Sequence, residues 1–440
     1  MSDFHSVDSL CSKRKIHTVD RKFPVSGAAK ALLLESREGA KYFPKDNRQS
    51  MLILRLMLLS VLGLSIGAAS NALAQNVYWG GVSFSGWEAK DSLYPNVASY
   101  LCRAESCADD SIDGWALTAV GNAKFDQFSV SMDYISGGAV EGVIMTPMIT
   151  GESFAMVEDV TGGQTNFIHV YRVFGSLLFF EFGSGRFISA KPVVVQFTDT
   201  LPAAATAEQK RAAFGRLLSS ESSGPNVFEQ MFNRANSAST TTFSDRYVRV
   251  SGVSISPAVG GELVGVQDLD AWKLQVGRFF ESYLLEATDA PLVPAASGSE
   301  ITDEFVATFA NASTRIKLPK TVPFEFSVEV RRMLELSTVD RQQKTLCHAV
   351  AITLRLEGPM ERLLDAPLVR TKESCGVIAA EKQLDKTYYF TQSLFSLLRE
   401  ASANLAEKPN KDFFKRAAPK SKKLDRQFSA AWKAALDNGW

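Results

Sequence analysis

Histidine is nearly missing from this chain. Of its four histidines only His169 and His348 fall beyond residue 74, so a hydrolytic triad has little choice of base and a zinc site little choice of imidazole. His169 lies mid-strand between Ile168 and Val170, and His348 falls on the apolar parity of its strand; both read as hydrogen-bonded structural residues. Phosphate loops are missing too, since GGELVG from Gly260 lacks the Lys-Ser/Thr ending. GVSFSG from Gly81 misses the nucleophile-elbow spacing, because Ser85 stands where the closing glycine belongs. Cysteine is sparse, and Cys102 with Cys107 has no matching second pair to complete a metal site. No cofactor and no metal are implied.

What is present begins with an address. Arg55 supplies a short basic region, Leu56 to Ala69 is an uncharged, mostly apolar run, and Ala72-Leu73-Ala74 before Gln75 is an A-x-A cleavage pattern. The run stops short of the roughly 20 apolar residues that a spanning helix needs. Residues 51–74 are therefore expected to be a signal peptide, cleaved between Ala74 and Gln75, that sends the protein to the periplasm or out of the cell. Residues 1–50 read as an extension outside the fold, with Met51 a candidate for the true start. Cleavage discards Cys11 and leaves an even set, for which sequence proximity favours Cys102 with Cys107 and Cys347 with Cys375 in an oxidising compartment. It also leaves a mildly acidic chain, which argues against nucleic acid as a partner, and no integral membrane span.

Downstream, period-two and period-3.6 patterns alternate in blocks, the mark of an α+β fold. Two domains are expected, residues 75–236 and 246–407, followed by a basic linker and an amphipathic helix over 408–440. In the first, Val77 to Phe84 reads as a strand and Ser92 with Pro95 as a helix start; Val140 to Phe197 reads as a meander of five antiparallel strands turned at glycines. Thr206 with Gln209 resembles a capping box ahead of a helix, and a second helix follows Pro225. In the other, Tyr247 to Ile255 is a strand with a bulge at Ser251-Gly252, Asp268 to Glu286 a strong helix, Val322–Val330 and Leu346–Leu354 alternating strands, and Asp385 to Glu407 a helix. Both halves run strand, helix, strands, long hairpin, helix. That order suggests a pseudo-duplication, although no residue motif is seen to recur.

The GGVSFSGW strand from Gly80 to Trp87, with the helix expected after it, and the LLFFEF and KPVVVQF strands resemble exported bacterial envelope proteins of the TolB N-terminal domain and curli-secretion lipoprotein type. The resemblance implies an α/β envelope component, and the missing lipobox cysteine departs from the curli-type pattern. The reading that follows is an exported, non-catalytic protein that binds or helps assemble another envelope component, with an envelope protein or a glycan as partner. Two alternatives stand beside it. One is an exported hydrolase using a carboxylate pair among Glu141, Glu152, Glu158 and Asp159; the other is a self-assembling structural subunit. Two stretches are candidate interaction surfaces: the aromatic hairpin with Phe179 and Phe180, and the C-terminal segment with Lys420, Lys422, Lys423 and Trp432. Glu181, inside an apolar run, needs a cation, and Arg172 and Arg186 are the candidates.

Overall fold

Alternating side chains in this sequence build strands of unusual length. The computed structural model describes residues 75–437 apart from 86–88, 102–110, 133–141, 162–163, 220–223, 225, 237–246, 264–265, 267, 295–303, 309–312, 320–321, 341–342, 371–374, 380–385, 407–408 and 422. The expected extension, signal peptide and Cys102–Cys107 pair lie outside the described residues. The first half runs β1 (Gln75–Trp79), β2 (Ser83–Phe84), α1 (Lys90–Leu93), a 3-10 turn (Ala98–Tyr100), α2 (Ile112–Asn122), β3 (Phe128–Ser131), β4 (Val143–Thr161), β5 (Gln164–Glu181), β6 (Phe187–Leu201), α3 (Ala207–Leu218) and α4 (Val227–Ala235). The second runs β7 (Val248–Ile255), α5 (Pro257–Gly260), α6 (Leu269–Thr288), β8 (Leu292–Val293), β9 (Glu304–Thr308), β10 (Ser313–Lys317), β11 (Phe324–Asp340), β12 (Gln343–Glu357), β13 (Arg362–Arg370), β14 (Cys375–Ala379), α7 (Lys386–Ala406), α8 (Lys411–Ala417) and α9 (Leu424–Asp437).

Both halves contribute to one α+β sheet. Among the described residues its order is β13-β12-β11-β7-β8-β6-β5-β4-β1-β3, with β14 added on β12 and β2 on β4, while β9 and β10 form a separate hairpin. The five strands expected between Val140 and Phe197 are three. Gly151 does not turn the chain; it follows a bulge at which the β4–β5 register shifts between Ile149 and Gly151 and then continues. The helix expected from Tyr94 is also absent, replaced by α1 and the 3-10 turn, because the residue before Pro95 is pushed out of the helical region. The capping box at Thr206 and Gln209 is present, and α6 starts on its Asp268 cap.

The halves repeat one topology down to their irregularities. In each, an opening strand (β1, β7) leads through a helix (α2, α6) to a short parallel neighbour (β3, β8), and then to three antiparallel strands whose first lies parallel to the opening strand. The β4–β5 bulge after Ile149, paired with Gly175, recurs in β11–β12 after Val330, paired with Ile352. A second bulge lies between Ser189 and Phe187 in β6 and between Leu364 and Arg362 in β13, three positions before Pro192 and Pro367 respectively. These registers expose a residue motif that is not evident without them: Gly81-Val82-Ser83-Phe84-Ser85 corresponds to Gly252-Val253-Ser254-Ile255-Ser256. Even the closing hydrogen bond recurs, Ser85 N donating to Ile149 O and Ser256 N to Val330 O, each at 2.9 Å.

Strand β8 joins the repeats, pairing antiparallel with β6 at Ala190–Leu292 and parallel with β7. The opening strands of the two halves therefore point in opposite directions. Their helices also lie on opposite faces. Phe179 faces α3 and α4 with the first core, whereas its neighbour Leu178, and with it Ala190 and Leu292, faces the other way; Leu292 belongs to the core under α6, α7, α8 and α9. One half is thus turned over relative to the other and set beside it along the sheet. Below, the face toward a half's own helices is called inner and the opposite face outer.

Glycine matters most at Gly175, where an added Cβ would stand 2.0 Å from Met231 Cε and 3.2 Å from the Met148 carbonyl. Gly175→Ala should lift α4 from the sheet and cost about 1–3 kcal/mol, while Gly183→Ala, with nothing within 4 Å, should stay within about 0.5 kcal/mol. Urea unfolding of the two variants checks this; equal midpoints would contradict the close approach.

Candidate functional site: the seam between the halves

Among the described residues the β6–β8 pairing is the Ala190–Leu292 bridge, and α6 packs against both β6 and β7. Its apolar stripe of Trp272, Val276, Phe279, Phe280 and Leu284 makes this helix buried along much of its length. From it, side chains reach the outer face of the first half. Gln275 Nε2 donates to Ser153 Oγ at 2.8 Å, Phe279 meets the Phe174 ring edge-on at 5.4 Å, and the Arg278 guanidinium lies 5.9 Å from the Phe174 centroid against Gly151. A Cβ at Gly151 would collide with that guanidinium, so a residue without a side chain is what lets α6 close on the bulge.

Charges are buried in this seam. Arg172, on β5, is only 2% exposed. Its Nε donates to Gln196 Oε1 at 2.8 Å, and its guanidinium carbon sits 5.6 Å from the Phe279 centroid and 5.8 Å from that of Phe395 on α7. Nη2 has no hydrogen-bond acceptor among the described residues. Burial pulls the Arg172 pKa down to about 10, against the pull of Tyr388 and Tyr283, so it remains a cation held chiefly by ring faces. Lys191, on β6, is 1% exposed and pairs with Asp289 at 3.1 Å; burial lowers its pKa and Asp289 opposes the shift. Asp289 ends α6 in the left-handed region at φ 51°, a conformation that aspartate tolerates better than most residues. Its carboxylate is thereby placed where α6 gives way to β8. Farther along, Glu286 of α6 lies between Arg234 of α4, at 3.5 Å, and Arg399 of α7, at 3.6 Å.

The other sequence candidates fall elsewhere. Phe179 and Phe180 are fully buried, Phe179 edge-on to Phe128 at 5.8 Å, so these two aromatic side chains are core and offer no surface. Trp432 is 6% exposed and packs with the second-half core beside Phe326; it anchors α9. Lys420 and Lys423 are exposed at the junction of α8 and α9, and Lys422 lies outside the described residues. Cys347 and Cys375 are bonded across β12 and β14. Glu181 pairs with Arg186 and not with Arg172. Glu152 accepts hydrogen bonds from Asn96 N, Asn96 Nδ2 and Val97 N, fastening the 3-10 turn to β4. Glu158 is six residues along the same strand, on the order of 20 Å away at ~3.3 Å per residue, whereas glycosidase carboxylates stand roughly 5–9.5 Å apart. Those two do not make a catalytic pair, and Glu141 lies outside the described residues. Among the described residues no three His, Cys, Asp or Glu side chains group to hold a metal ion.

Of the seam residues the sequence singles out only Arg172, and for Glu181, which it does not pair with; one further signal was available, since Lys191 beside Pro192 interrupts an otherwise apolar strand and a buried lysine requires a partner. What this arrangement does chemically is fasten one half to the other. No protein-family model matches the chain, and none of the curated proteins matches it in sequence.

Asp289→Asn keeps a residue suited to the left-handed turn but leaves Lys191 buried as an uncompensated cation. It should cost about 3–5 kcal/mol, and Lys191→Met with Asp289→Asn should recover most of that in chemical denaturation. A double variant as unstable as the single one would contradict the pairing.

Acid should loosen the structure through its two buried histidines. His169 Nε2 accepts from Ala205 N at 3.2 Å, which puts the ring proton on Nδ1. Burial lowers its pKa from the usual 6.5, Asp199 opposing and Lys210 assisting; burial likewise lowers that of His348, against Glu335. Each contribution is present above the unfolded value near 6.5 and is lost as pH falls through the folded value. The Glu152 carboxyl, raised by burial, works in the opposite sense. The melting temperature should fall from pH 7 to pH 5, and His169→Asn should flatten that slope; an unchanged slope would contradict this assignment.

Proposed function

We propose that this chain is an exported, non-catalytic component of a cell envelope that binds or helps assemble another envelope component. Its compartment is read from the Met51–Ala74 signal pattern, cleaved before Gln75 to give a periplasmic or secreted protein. The Cys347–Cys375 bond fits an oxidising compartment, and no helix among the described residues is long and apolar enough to cross a membrane. The likeness of the Gly80–Trp87 sequence to TolB-type and curli-type envelope proteins points to the same setting.

The observation that carries the binding role is a difference between the outer faces of the two halves. That of the first half is covered by α6, α7 and the β10 side chain Ile316. In the second half the far end of the outer face carries Leu336, 47% exposed, beside partly buried Leu334, Ala351 and Val369. An apolar sheet face of this kind is a surface for a partner.

Expressed with its signal, the protein should be recovered with Gln75 at its N-terminus. A photo-reactive side chain at Leu336 should give a discrete adduct in envelope fractions, and one at Lys420 should not. Recovery of the chain uncleaved in the cytosol, or no adduct from Leu336, would overturn the proposal.

A further inference from the structure

The repeat identifies what the open face is built to receive. The bulge after Ile149 sets Gly151 opposite Phe174 and Ser153 opposite Arg172; the matching bulge after Val330 sets Arg332 opposite Ala351 and Leu334 opposite Ala349. In the third strands Val194 faces Phe174 as Val369 faces Ala351. Ser153, Arg172 and Phe174 are the positions on which α6 and α7 sit, through Gln275, Phe279 and Phe395. Their counterparts Leu334, Ala349 and Ala351 form the apolar part of the second half's outer face. Thus the place where one repeat takes its neighbour's helices recurs, unfilled by any described residue, on the next repeat, with one exchange: exposed Arg332 stands where Gly151 does, so that here the guanidinium comes from the sheet and a helix with small residues must meet it.

Resting on the binding role proposed above, we infer that the partner on this face is a second copy of this chain, seated through α2 of its first half. Helix α2 is the counterpart of α6, crossing between β1 and β3 as α6 crosses between β7 and β8. Its side away from its own core presents Leu117, 46% exposed, with exposed Thr118 and Gly121. That small, apolar surface suits a face whose centre is Ala349 and Ala351. The relation between the halves is a half-turn combined with a step along the sheet, so the contact is heterologous: different surfaces meet, and repetition extends the assembly without closing it. The contact uses the sheet face and not a strand ladder. Asp365 stands on β13 where Ala190 makes the bridge to β8, and it is held by Arg355 at 3.2 Å; a charge on an edge strand opposes further pairing.

The test is light scattering on the mature chain from Gln75 across a broad micromolar range, with Leu336→Lys and Leu117→Lys as variants. Both sites are solvent-exposed, so neither change should disturb folding, which circular dichroism monitors. The native chain should gain mass continuously with concentration. Each variant should need at least about tenfold more protein to reach the same mass, a loss of about 1.4 kcal/mol. Mixed together, the two variants should form a 1:1 dimer and stop, because each retains one of the two surfaces. A native chain monomeric throughout, or assembly unaffected by Leu336→Lys, would overturn the inference. A Leu336 adduct containing a different envelope protein would overturn it too, while leaving the binding role standing; no adduct of any kind would remove both.

Discussion

The outer face of the first half cannot stay in water, and the rest of the structure follows from that. It presents Ile144, Met148, Phe174, Leu178 and Phe180, all buried, together with the Arg172 guanidinium, which no carboxylate meets among the described residues. Its own helices are committed to the other side. Cover comes from elements of the second half: α6 and α7 lie over Phe174 and Arg172, while Val293, Ile316 and Leu318 pack with Ile144, Met148, Leu178 and Phe180. The placement of α6 is fixed by polar contacts: Lys191 with Asp289, Gln275 with Ser153, Glu286 between Arg234 and Arg399. An ionic contact with one fully buried partner, as Lys191 has with Asp289, adds little net stability compared with apolar packing, but breaking it is costly. The effect of these contacts is to specify which way α6 lies.

The same unit therefore serves in two roles. In the first half, Met148 and Leu178 on the outer face are apolar and sealed. In the second, Met148 is replaced in register by Glu329 and Leu178 by Arg355, and Arg355 bridges Glu329 at 2.6 Å and Asp365 at 3.2 Å. At this level of the strands, toward the sheet edge away from the seam, the second half's outer face is a part-exposed lattice of charge, and its apolar part lies farther along the strands at Leu334, Leu336 and Ala351. Proline marks the same logic along the strands. Pro147 lies opposite the gap between β1 and β2, Pro192 lies beyond the one bridge to β8, and Pro367 lies on the edge strand β13. Each is a place where no neighbour asks for an N–H.

Much of this was legible in the sequence because long alternation and strong caps are local signals. The strands around Phe326 and Ile352, the Asp268 and Thr206 caps and the bulge at Ser251-Gly252 all belong to that class, and so did the shared order of the halves. Helix α2 was missed because Gly114, Gly121 and apolar residues on several sides leave it without a clear polar face. Helix α8 was hidden by its lysines, although Asn410 caps it and Phe413 and Phe414 are buried. The candidate surface was misplaced for a more general reason. An aromatic hairpin such as Phe179-Phe180 looks the same in sequence whether it is core or interface, and which face is covered depends on an element about a hundred residues away, a long-range fact that periodicity does not carry.

The central claim is that the first half depends on the second for the cover of its outer face. Native-state hydrogen exchange on the mature chain tests this most directly. Opening the second half must strip α6 and α7 from β5, so amides of β5 such as those of Val173 and Phe174 should lose protection in the same event that exposes β12. If β5 stays protected after β12 has exchanged, the first half stands alone and the account fails.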